Sequence, residues 1–150
     1  MDKEQIYFFW YLGVTLLVVI LGVMFFKVSQ DQDIYFAREV FSGLVNARES
    51  VERQIDWANF KAVGSDIGAD YSRFTTEIQR GYYRKGFIIN FSLSFKNSGG
   101  TFNSFTHWAI YSKDNNKVVV SALSRINKTL LFTISKRGNK RKLESIQWKD

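Results

Sequence analysis

Residues 6–26, IYFFWYLGVTLLVVILGVMFF, are 21 consecutive positions without a charge. No water-soluble helix tolerates an apolar surface on every side, so such a run has to be covered by lipid or protein. At about 1.5 Å per residue, a helix of that length crosses the ~30 Å hydrocarbon core of a bilayer. The run therefore reads as a transmembrane helix. Aromatic residues crowd its start, among them Trp10 and Tyr11, and Phe25 and Phe26 close it just before Lys27. Aromatics at both ends are membrane-interface anchors. Asp2 and Glu4 spoil the basic flank that a cleaved signal peptide needs, and no small-x-small site follows the run. Gly13 and Gly22 lie too far apart for a close-packed helix dimer, and no intramembrane charge suggests transport.

This organises the chain as a short tail over 1–5, a span over 6–26, a polar joint over 27–33 and a soluble α+β domain over 34–150. The expected localisation is the membrane, single-pass, with the C-terminal domain extracytoplasmic. The charge bias around the span says little, since Lys3 precedes it and Lys27 and Arg38 follow.

Beyond the joint, Ile34, Ala37, Phe41, Leu44, Val51 and Ile55 recur at helical spacing and predict an amphipathic helix. Asp56 and then Ser65 or Asp66 are candidate caps for two further helices, the second carrying Ile67, Tyr71, Phe74 and Ile78 and closing at Gly81. After Gly81 the period shortens to two. Phe87, Ile89, Phe91, Leu93 and Phe95 alternate with Ile88, Asn90, Ser92, Ser94 and Lys96, which predicts a half-buried strand. A turn at KNSGG (96–100) leads to strands over about 101–112, 118–123 and 129–135 and a last one ending near Trp148. With no connection in this stretch long enough for a parallel crossover, the fold class is α+β: an N-terminal transmembrane helix, then helices packed on a curved antiparallel sheet, cone-like in form.

Composition removes several functions. Without cysteine there is no disulfide framework, thiol nucleophile, cysteine-ligated zinc or iron–sulfur site, and a single histidine excludes a multi-histidine metal site. No cofactor and no metal are expected. Residues 27–80 carry nine acidic against seven basic side chains, whereas residues 81–150 carry thirteen basic against three acidic.

The order of elements carries a resemblance. A helix, then IDWANFKAVGSDIGADYSRF (55–74), then a meander ending LFTISKRGNKRKLESIQW (131–148) resembles the nuclear transport factor 2-like superfamily. In that family a short helix bearing an aromatic precedes a helix that closes a cone, and the last two strands flank a charged glycine turn. Here that turn is Lys136-Arg137-Gly138-Asn139, and Arg141 or Lys142 stands where the family often has Trp. Its membrane-anchored form resembles the bitopic inner-membrane subunit of type IV secretion and conjugation machines. That resemblance implies a non-enzymatic scaffold which self-associates and contacts other membrane-complex subunits. The layout is also similar to type IV pilins and pseudopilins, although Glu4 lies outside the apolar run.

An enzyme is the weaker reading. His107 is the only imidazole, and Asp56, Asp66, Asp70 and Tyr71 read first as helix caps and first-turn acids rather than an acid–base set. The cluster Lys136, Arg137, Lys140, Arg141 and Lys142 is the candidate binding face, for a protein partner or an anionic surface. Nucleic acid is not an expected partner, because no RNA-binding signature accompanies the charge. The expected function is a membrane-anchored scaffold or binding subunit of an envelope assembly. The alternatives are a pilin-like subunit and a small-ligand-binding or enzymatic cone.

Overall fold

The computed structural model describes residues 3–149, with side chains from Tyr11 onward except Leu12, Phe26 and residues 29–31. The chain forms two compact units, Met1–Gln32 and Asp33–Asp150.

The first unit is helical. Helix α1, Lys3–Val45, runs through it and also supplies the first element of the second unit. The large hydrophobic side chains described in the first unit are exposed all round, from Val14 at 45% to Phe25 at 80%. Tyr11 and Phe25 are exposed, while the side chains of Trp10 and Phe26 lie outside the described residues. Among the described residues no helix is long and apolar enough to cross a membrane. The side chains of residues 6–10, the first part of the uncharged run, lie outside that description. The backbone over 27–33 is helical, where the sequence predicts a joint.

In the second unit, α1 buries Asp33, Ala37, Val40, Phe41 and Leu44 along one face. It ends ten residues short of Ile55. Arg48 N–H donates to Gly43 O at 2.8 Å and Ala47 N–H to Leu44 O at 3.2 Å, with Ala47 at φ 51°. This is a Schellman closure whose left-handed residue is alanine, so no glycine announces it. A 3₁₀ turn, Glu49–Gln54, then brings Val51 into the core and leads to buried Ile55. Strands β1 (Lys61–Ala62) and β2 (Ser65–Asp66) form a small hairpin, and helix α2 (Ile67–Tyr71) follows, capped by Asp66 Oδ1 accepting from Ala69 N–H at 3.0 Å.

The largest correction is the stretch after Gly81. In place of a strand over 87–95 there is a 21-residue helix, α3, Glu77–Asn97. Its start is a capping box: Gln79 N–H donates to Thr76 Oγ1, and Thr76 N–H to Gln79 Oε1. Residues 87, 91 and 95 satisfy a period of two and, equally, the i, i+4 stripe of a helix. Ile89 and Leu93, which a strand would bury with them, are instead 52% and 53% exposed.

Strands β3 (Phe105–Lys113), β4 (Lys117–Ser124), β5 (Thr129–Arg137) and β6 (Lys140–Trp148) form the meander. The six-stranded sheet has the order β2-β1-β6-β5-β4-β3. It is mixed rather than antiparallel, because β1 lies parallel to β6 with Ala62 opposite Ile146. The chain between those strands is long enough to return to the sheet in the same direction, which no short hairpin allows. The class is thus α+β, with helices and a curved mixed sheet. Phe41 centres the core, its ring 5.1 Å from Phe105 and 5.2 Å from Phe132. Ser92 Oγ–H donates to Val45 O at 2.6 Å, fastening α3 to the end of α1.

Candidate functional site

Packing α3 over the sheet leaves a cavity of about 730 Å³. Tyr83, Phe87, Phe91 and Phe95, each four residues after the last, form the α3 wall; Val63, Ile146 and Trp148 face it. Its polar groups are Ser65, Asn90, Ser94 and Ser98, and no ionisable acid, base or imidazole lines it apart from the Tyr83 phenol. That phenol sits at 3.4 Å from Ile67 O, and burial, followed by the charge of Asp70, raises its pKa. The wall has a gap at Gly86, where a Cβ would meet nothing within 4 Å. A largely apolar space with a few neutral hydrogen-bonding groups suits binding of apolar matter.

The lip of this cavity is strained. The two-residue loop between β1 and β2 places Val63 at φ 45° and Gly64 at φ 85°. Both central residues at positive φ make a type I′ turn, for which Asn-Gly is the favoured pair. A β-branched residue in the left-handed region is an outlier, and Val63 is also half-exposed and part of the cavity wall.

The sequence-derived acid–base candidates do not converge. His107 is exposed on β3, at a register shift in the sheet edge, with φ 51° and Nδ1 at 3.0 Å from Thr106 Oγ1. Asp66 caps α2, Asp70 pairs with Arg73 at 3.5 Å, and Asp56 accepts from Asn59 Nδ2 at 3.1 Å. Tyr71 OH accepts from Arg84 at 3.0 Å. Arg84 also reaches Glu52 and Glu77. Burial pulls its pKa down, but the hydrogen bonds it donates to Glu77, Glu52 and Tyr71 outweigh that and raise it. Among the described residues no group of three His, Asp or Glu side chains can hold a metal ion.

The five-cation cluster is divided by strand alternation. In the β5–β6 register Lys136 stands opposite Arg141, Arg137 opposite Lys140, and Ser135 opposite Lys142. Lys136 and Arg141 turn to α1, where both contact the fully buried Asp33, at 2.5 Å and 2.8 Å. Arg137, Lys140 and Lys142 line a second cleft, of about 430 Å³, together with Asp56, Trp57, Tyr71 and Ser135. The sequence shows one basic patch; the structure makes it one buried ionic lock and one basic cleft.

The α3 wall is what sequence reasoning missed, and the Thr76–Gln79 capping box is the signal that would have found it. No family model matches this chain, and no curated protein or solved structure is detectably similar to it.

Proposed function

We propose that this chain is a single-pass, membrane-anchored binding subunit of a larger envelope assembly, such as a secretion or conjugation machine. Its α+β unit is of the nuclear transport factor 2-like kind and sits outside the cytoplasm, where it holds an apolar segment of a partner subunit and catalyses no reaction. The observation that carries this reading is the cavity under α3, whose wall is aromatic and aliphatic and whose polar groups are serine hydroxyls, one amide and one phenol. The exposed Leu16, Leu17, Val18, Val19 and Ile20 on all sides of α1 support an anchor, since such a helix needs an apolar surround. A long helix followed by a four-stranded meander supports the superfamily assignment.

Two other readings each rest on one observation. The uninterrupted α1, helical through residues 27–33, is the layout a pilin-like subunit would have. The size of the cavity also suits a small apolar ligand.

Solubilising the tagged chain from its native membrane in mild detergent, followed by mass spectrometry, separates the assembly subunit from the small-ligand cone. Co-purification with an ATPase and other envelope subunits is the expected result. Recovery of the chain alone, as monomer or homo-oligomer, overturns the assembly reading and leaves the small-ligand cone.

A further inference from the structure

The cleft between the β5–β6 turn and the segment after Ile55 is a second potential site with different chemistry. Three cations wall it, Arg137, Lys140 and Lys142, against one carboxylate, Asp56, which is already engaged by Asn59. Lys142 Nζ donates to Arg53 O and so is held in place. Arg137 and Lys140 make no ion pair among the described residues, and both are exposed. In the same hairpin the neighbouring Lys136 and Arg141 are both closed on Asp33. Among the described residues the cleft therefore keeps a net positive charge, three cations against one carboxylate. The indole N–H of Trp57 is spent on Glu52 O at 2.8 Å, so the ring gives the cleft an apolar flank beside the cations. Cations around an opening with an aromatic wall suit an anion joined to an apolar or glycerol group.

We propose that the cleft formed by Arg137, Lys140 and Lys142 binds the phosphate of an anionic phospholipid headgroup, holding this face of the domain to the membrane surface. The proposal rests on the anchor reading above and adds a ligand class and a site to it. Arg137 supplies a planar fork for two phosphate oxygens, and the two lysines supply point charges around the rest.

The test uses the full chain in a neutral detergent, titrated with phosphatidylglycerol and with phosphatidylcholine and read by native mass spectrometry. The wild-type chain retains phosphatidylglycerol in preference to phosphatidylcholine. In Arg137→Gln/Lys140→Gln that preference falls roughly 30-fold, from about fivefold per cation removed at a membrane surface. Lys96→Gln/Lys128→Gln, which removes two exposed cations elsewhere, leaves it unchanged. No fall in the cleft variant, or an equal fall in the control, overturns the site. Saturable micromolar binding of inorganic phosphate by calorimetry assigns the cleft to a soluble anion and overturns the lipid. Alkaline flotation with pure phosphatidylcholine vesicles reports the anchor separately. A chain that is stripped from those vesicles yet keeps its preference for phosphatidylglycerol contradicts the anchor and leaves the site standing.

Discussion

Asp33 Oδ1 accepts a hydrogen bond from Arg141 Nε at 2.8 Å across 108 residues of sequence, while Asp33 Oδ2 accepts from Lys136 Nζ. The carboxylate is fully buried, and the two cations are only 24% and 17% exposed. One acidic side chain at the start of the domain thus clamps the turn of the last hairpin onto α1.

Removing the carboxylate takes away the buried counter-charge that Lys136 and Arg141 share. Asp33→Asn is expected to cost about 3 kcal/mol, in the range for one partner taken from a buried ion pair. Denaturant unfolding of the full chain measures it, and a loss below ~1 kcal/mol would show the cluster to be solvated.

Arg84 is a partly buried charge, shared between Glu52, Glu77 and Tyr71. Arg84→Met leaves Glu52, 21% exposed, without its cation and is expected to cost about 2–3 kcal/mol. Glu77→Gln touches a group that is 74% exposed and is expected to cost under ~0.5 kcal/mol. Equal losses in the two variants would contradict this ranking.

Val63 is strained for its turn. Val63→Asn places Asn-Gly at the type I′ positions and is expected to stabilise the fold by about 1 kcal/mol, the left-handed cost of a side chain branched at Cβ. The same change removes an apolar group from the cavity lip, so partner retention should weaken as the melting temperature rises. A variant both less stable and unaltered in binding would refute the idea that the strain serves the cavity.

Asp114 accepts from the backbone N–H groups of Asn116 and Lys117, and those bonds lower its pKa below the ordinary 3.8. A carboxyl depressed on folding contributes stability above its unfolded pKa and loses it as pH falls through the folded value. Asp114→Ala should therefore lower the melting temperature at neutral pH, with the gap narrowing only below about pH 3.8. A gap that is constant down to strongly acidic pH would show that the charge contributes nothing to the turn.

The meander was legible because β4 and β5 alternate cleanly, Val118, Val120 and Ala122 inward and then Leu130, Phe132 and Ile134. The domain part of α1 was legible from the Ala37–Phe41–Leu44 stripe, but its continuity through 27–33 was not. Its end was not, because Ala47 takes the left-handed closing position that glycine usually marks. Helix α3 was misread because residues 87, 91 and 95 fit both periods, and only the cap at Thr76 separates them. That one error hid the cavity, whose main wall is that helix. The basic cluster was visible as charge, but its division depended on Asp33, which sequence distance concealed. The parallel β1–β6 pairing rests on two residues per strand, too short to leave a pattern.

The central claim is that the domain binds through the cavity under α3. The most direct measurement compares the proteins retained by the wild-type chain and by Gly86→Leu when each is solubilised from native membranes in mild detergent. Gly86 has open space at its Cβ and lines the cavity, so leucine fills the site and leaves the fold standing. The account predicts envelope subunits retained by the wild type and lost from the variant at an equal or higher melting temperature. An identical set of proteins with both chains, or none with either, would contradict it.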